Sequence, residues 1–134
     1  MNALLDTHTF LWWNADDPQL SETARQFISD SRNQIFLSAA TSWEISIKFA
    51  KGRLLLPEAP DKYIANRLSH YGFRALPIAI SHTTRVASLP AIHTDPFDRL
   101  LITQAISHSL TFISRDRQVK PYAVKQLWEE ENLT

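Results

Sequence analysis

Strand-length apolar runs alternate with helix-length segments along this chain, and that alternation restricts its fold more than any other feature. Ala3-Leu4-Leu5 is an apolar run that ends abruptly at Asp6, the pattern of a buried strand. Thr7 to Trp13 reads as a helix, broken by Asn14-Ala15-Asp16-Asp17-Pro18. A second helix opens at Ser21-Glu22-Thr23, with Ser21 as its cap, and runs to about Ser31. Gln34 to Ser38 predicts a second strand, and residues 40–51 a helix that Gly52 closes. Asp61 is read as the cap of a helix reaching about Tyr71, followed by a strand from Phe73 to Leu76. Ser81 to Leu89 is read as helical, stopping before Pro90. Asp95-Pro96-Phe97-Asp98 opens a helix through about His108, with proline at the favoured first position. Leu110 to Ser114 predicts a strand, and Val124 to Trp128 a weaker last one. This order predicts an α/β fold, a three-layer α/β/α sandwich around a mostly parallel central sheet. Such sheets gather their ligand sites at the C-terminal ends of the strands.

With 134 residues and no repeat, low-complexity tract or linker, one domain over 1–134 is expected. A 44% hydrophobic content with 21% charged residues and two glycines fits a globular chain rather than a disordered one. No apolar run approaches the roughly 20 residues that cross a bilayer, and the opening six residues lack the basic start of a secretory signal. The absence of cysteine excludes disulfides and thiolate metal sites. These features point to a cytoplasmic protein without membrane attachment. A formal net charge of +0 argues against a broad basic face that holds nucleic acid by counterion release alone. It leaves a nuclease open, because a bound divalent cation neutralises acidic ligands and draws in phosphate locally.

Four acids far apart in the chain are expected at one rim of the predicted sheet. Asp6 ends the first strand, and Asp116 lies two residues beyond the strand that ends at Ser114. Asp98 sits in the first turn of a helix entering from that edge, and Glu44 in the first turns of the helix after Leu37-Ser38. Hard cations such as Mg²⁺ and Mn²⁺ prefer carboxylate and water ligands. Phosphodiester cleavage needs an activated water and charge stabilisation at the phosphate, which such ions supply. Each acid also has a simpler role available. Asp6 and Asp116 are placed to cap the turns that follow them, Glu44 is spaced to pair with Lys48, and Asp98 has the N3 spacing from Asp95. Those separate roles do not explain why all four fall at one rim. Asp95, directly before Pro96, is assigned to capping. His8 and His93 each stand two residues from an acid. Without a paired spacing the five histidines are read as surface or supporting groups rather than metal ligands. Trp12, Trp13 and Trp43 follow helical spacing with Phe10 and Phe49. Most are expected in the core, the remainder lining a partner groove.

With these residues in place, the chain resembles the PIN-domain family, and within it the VapC-type toxins of toxin–antitoxin pairs. Leu4-Leu5-Asp6-Thr7-His8 is similar to the family's first acidic motif and Ser42-Trp43-Glu44-Ile45 to its second. The run from His93 through Asp95-Pro96-Phe97-Asp98-Arg99 to Ala105 is similar to the third, the most specific, and Ile113-Ser114-Arg115-Asp116 to the fourth. The resemblance covers nearly the whole chain in the right order. It implies a PIN-like fold and a Mg²⁺-dependent endoribonuclease, with Mn²⁺ able to substitute, inhibited by a small cognate antitoxin and often a homodimer. Carried over by position, Asp6, Glu44 and Asp98 would be the core metal ligands and Asp116 would complete the pocket. Thr7 and Ser114 would be supporting hydroxyls, and Asp95 an additional acid of the subgroup. Arg99, Arg115, Arg117, Lys48 and Lys51 are the basic residues expected around the rim. A phosphatase using Asp6 as nucleophile would need a second acid two residues on, where His8 stands. The alternative is a non-catalytic PIN-like RNA- or protein-binding module, whose signature would be loss of an acid; none is lost.

Overall fold

Five parallel strands form one sheet in the computed structural model, in the order β3-β2-β1-β4-β5. The structure describes residues 1–129, so the end of the expected 1–134 domain lies outside the described residues. The strands are β1 (Asn2–Leu5), β2 (Gln34–Ser38), β3 (Arg74–Leu76), β4 (Thr111–Ile113) and β5 (Gln126–Leu127). Around them lie α1 (Thr7–Asn14), α2 (Glu22–Ser29), α3 (Ala39–Ala50), α4 (Pro60–Tyr71), α5 (Ile80–Arg85) and α6 (Pro96–Ser107). The expected α/β class with a parallel sheet is what the chain adopts.

Helices cover both faces of the sheet, which is why its central strand carries no polar alternation. Ala3 and Leu5 pack on one side with Phe10 of α1, Ala24 and Ile28 of α2 and Tyr63 of α4. Leu4 points the opposite way, into Leu101, Ile102 and Ala105 of α6. Leu4 and Leu5 are wholly buried, each contributing about 1.5–3 kcal/mol by leaving water. Among the described residues no helix is long and apolar enough to cross a membrane.

Two sequence expectations change here. Ala59, not Asp61, stands at the N-cap of α4, with Pro60 as its first residue and Asp61 in the first turn. Proline's fixed φ and missing N–H suit that first position, so the helix starts earlier. The helix expected over Ser81 to Leu89 starts at Ile80, ends at Arg85 and tightens into a 3₁₀ turn over Val86–Ser88. Leu89 is extended at ψ 132 because the ring of Pro90 disfavours helical backbone before it. Of the aromatics expected to divide between core and surface, Phe10 is buried, while Trp43 is 58% exposed and Phe49 lies on the surface.

Candidate active site

The rim is built from the ends of β1, β2 and β4 and the start of α6. Leu5 pairs with Ile113, and the Asp6 N–H continues the ladder to the Ile113 carbonyl at 3.2 Å. Asp6 therefore occupies the first position beyond the sheet, beside Ser114. Its carboxylate is buried, accepts the Thr9 N–H at 2.8 Å as the cap of α1, and bonds the Ser114 hydroxyl. Burial holds its carboxyl above the ordinary range, opposed by those hydrogen bonds and by His8.

Glu44 reaches the same rim from the second turn of α3 and is also buried. Its Oε1 accepts the Thr7 hydroxyl at 2.7 Å, and Thr7 lies 3.2 Å from the Thr41 hydroxyl. Its Oε2 accepts Lys48 Nζ at 2.8 Å, so the helical ion pair suggested by the i,i+4 spacing is present. Lys48 is thereby tied to an acid of the rim, its side chain still 42% exposed.

Asp98, Asp116 and His93 form the tightest group, with one potential ligand atom from each lying within 4.8 Å of the others. His93 Nε2 is 2.6 Å from Asp116 Oδ2 and 3.4 Å from Asp98 Oδ2. Asp116 also accepts the Gln118 N–H at 2.9 Å, capping a 3₁₀ turn, and its own N–H donates to Ser114 Oγ at 3.1 Å. Asp95 caps α6, accepting from the N–H groups of Phe97 at 2.8 Å and Asp98 at 3.3 Å. Asp6 and Glu44 lie outside that group of three, yet they are near enough to act on it. Burial first, then the charges of Asp95, Asp6 and Glu44, push the Asp98 carboxyl up to about 7, with His93 opposing.

The donor set fits a divalent cation of the Mg²⁺ type: hard carboxylate oxygens, no thiolates, and a carboxyl whose proton affinity is raised by burial and by neighbouring acids. Asp6, Glu44, Asp98 and Asp116 are the acids that could hold one, with Thr7 and Ser114 fixing two of them. His93 was read from the sequence as a surface or supporting group. It is not on the surface: it is buried beside Asp98 and Asp116. The signal for it is local: a residue two positions before a helix cap can accept the cap residue's own N–H, as His93 Nδ1 does from Asp95 at 3.1 Å. Arg99 also departs from expectation. Its guanidinium donates to the carbonyls of Val86, Leu89, Pro90 and His93, clamping the loop that carries His93 rather than facing a ligand.

The PIN domain family model matches residues 3–125, taking in all four acidic positions. The chain belongs to the PIN domain family. Ribonuclease VapC16 of Mycobacterium tuberculosis is 35% identical over 74 residues, covering 54% of this chain and 52% of that protein. This PIN chain thus spans about half the length of VapC16. Ribonuclease VapC22 of the same organism is 27% identical over 121 residues, covering 90% of this chain and 91% of that protein. Among solved structures, VapBC2 from Rickettsia felis bound to a DNA fragment from their promoter has a TM-score of 0.72 at 15% identity. It covers 96% of this chain and 100% of that one, and shows a shared PIN fold.

Proposed function

We propose that this PIN chain is a Mg²⁺-dependent endoribonuclease acting in the cytoplasm as the toxin of a toxin–antitoxin pair. The observation that carries the reading is the convergence on Asp98. Burial first, then carboxylates from the N-cap of α6, from the end of β1 and from α3, raise its proton affinity against the opposing His93, so acids far apart in the chain act on one carboxyl. The ribonuclease names of VapC16 and VapC22 support the reaction class, and the four motifs support the toxin role.

Asp6, Glu44, Asp98 and Asp116 would hold the cation. When bound, it supplies a water of lowered pKa and positive charge for the scissile phosphate. The chain's own contribution is orientation. Thr7 fixes one oxygen of Glu44, Thr9 and Ser114 fix Asp6, and the two caps fix the start of α6 and the turn after β4. Water attacking in line leaves a 5′-phosphate and a 3′-hydroxyl. Activation of the RNA 2′-hydroxyl by two histidines has no support at this rim. The His82–His108 pair joins α5 to the far end of α6, some 15 Å of helix from Asp98. We further propose a single domain over 1–134 that forms a homodimer and takes a small antitoxin as a helix on exposed apolar side chains such as Trp43.

The test is incubation of the purified chain with single-stranded RNA and Mg²⁺ or Mn²⁺. Cleavage with 5′-phosphate ends is expected, lost in EDTA and in Asp6→Asn, and stopped by the product of a small neighbouring reading frame. Cyclic 2′,3′-phosphate ends, or full activity in excess EDTA, would overturn the mechanism. No cleavage by any preparation would leave the binding-module alternative in its place.

A further inference from the structure

His93 sits between Asp98 and Asp116 at the acidic rim, and its hydrogen bonds restrict how it can act there. Its ring is buried and both nitrogens are engaged. Nδ1 faces the backbone N–H of Asp95 at 3.1 Å, and a backbone N–H can only donate. Nδ1 is therefore the acceptor and carries no proton, which places the ring's single proton on Nε2. Nε2–H then points at Asp116 Oδ2, 2.6 Å away, with Asp98 Oδ2 at 3.4 Å. A nitrogen that donates has no lone pair for a cation. Ligation through Nε2 would need the other tautomer, setting Nδ1–H against the Asp95 N–H, two donors face to face at a part-buried contact.

The surroundings hold the ring in this state. Asp95 is itself fixed as the N-cap of α6. The N–H groups of Ile92 and His93 donate to the Tyr122 hydroxyl at 3.1 and 2.7 Å, and that hydroxyl donates to the Pro90 carbonyl at 2.7 Å. The Arg99 guanidinium bonds the His93 carbonyl at 3.2 Å. Asp116 is gripped from two sides, Oδ1 by the Gln118 N–H and Oδ2 by His93. Each oxygen keeps a second lone pair free.

We propose that His93 is a positioning residue and not a metal ligand: as a fixed Nε2–H donor it aims the Asp116 carboxylate at the space shared with Asp98. The proposal rests on the nuclease reading above. Its first test is long-range ¹H–¹⁵N NMR of the His93 ring, assigned by its loss in His93→Gln, in metal-free protein and with Mg²⁺. The Nε2–H tautomer is expected in both states. The second is Mn²⁺ affinity, read from the free-ion electron paramagnetic resonance signal. His93→Ala should weaken binding about 10–100-fold, the usual effect of losing a group that orients a ligand. His93→Gln, whose amide N–H reaches toward Asp116, should recover most of it. A switch to the Nδ1–H tautomer on adding Mg²⁺ would overturn the proposal, as would unchanged Mn²⁺ binding in His93→Ala. Wild-type Mn²⁺ binding that Asp98→Asn leaves unchanged would instead overturn the nuclease reading, and this proposal would fall with it.

Discussion

Burial and the charges of Asp95, Asp6 and Glu44 set Asp98 at about 7 in the folded protein, whereas an unperturbed aspartate titrates near 4. Between those values the folded chain keeps a proton on Asp98 that the unfolded chain has released. Stability from this residue is therefore highest below about 4 and is lost as pH rises toward about 7. His82 works the other way, since burial, then the neighbouring His108 and Arg85, hold its ring below its ordinary value and favour folding at higher pH. The informative quantity is thus the difference between Asp98→Asn and wild type in EDTA, where the His82 contribution is common to both. The amide carries no charge to repel, so the variant should gain melting temperature over wild type as pH is raised from about 5 to about 7. A variant less stable than wild type at the upper pH would mean that Asp98 serves the fold and that the site is misassigned.

Gly52 and Gly72 end α3 and α4, and these are positions where an element depends on one residue's backbone freedom. Their φ values are +70 and +68. At the first, the Arg53 N–H returns to the Lys48 carbonyl at 2.9 Å and the Gly52 N–H to Phe49 at 3.0 Å, closing the helix. A Cβ at Gly72 would meet nothing within 4 Å, so Gly72→Ala should cost only the left-handed backbone penalty, about 1 kcal/mol. Urea unfolding measures it; a cost several times larger would mean an unrecognised contact. Signals of this local kind made the elements legible in the sequence: glycine stops, the Ser21 and Asp95 caps, and apolar runs that end at an acid. What lay beyond them depended on partners distant in the chain. The proton donor of His93 faces Asp116, 23 positions away, and no spacing rule joins the two. Arg99 reads as a rim cation, but its donors are taken by carbonyls of a loop whose path the sequence does not specify. Which of the aromatics would be exposed was not legible, because α3 has no single apolar stripe: Ile45 and Ala40 pack in different core clusters.

At the scale of the molecule, a parallel sheet sends every strand's C-terminal end to one edge, and that alone brings Asp6 and Asp116 to a common rim with Glu44 and Asp98. Three of the four acids also have a local partner, a cap for Asp6 and Asp116 and Lys48 for Glu44, so the simpler readings of those three are present in the structure. Caps and cation binding are compatible, because a carboxylate oxygen that accepts one N–H keeps a second lone pair. The account requires that these carboxylates share one cation rather than serve four separate turns. Anomalous diffraction from crystals soaked in Mn²⁺ tests this directly. The expected result is a manganese peak at the rim, bonded to oxygens of Asp98 and of at least one of Asp6, Glu44 and Asp116, with His93 Nε2 still on Asp116. Crystals saturated with Mn²⁺ that show no peak there, or a peak bound only elsewhere on the chain, would contradict it.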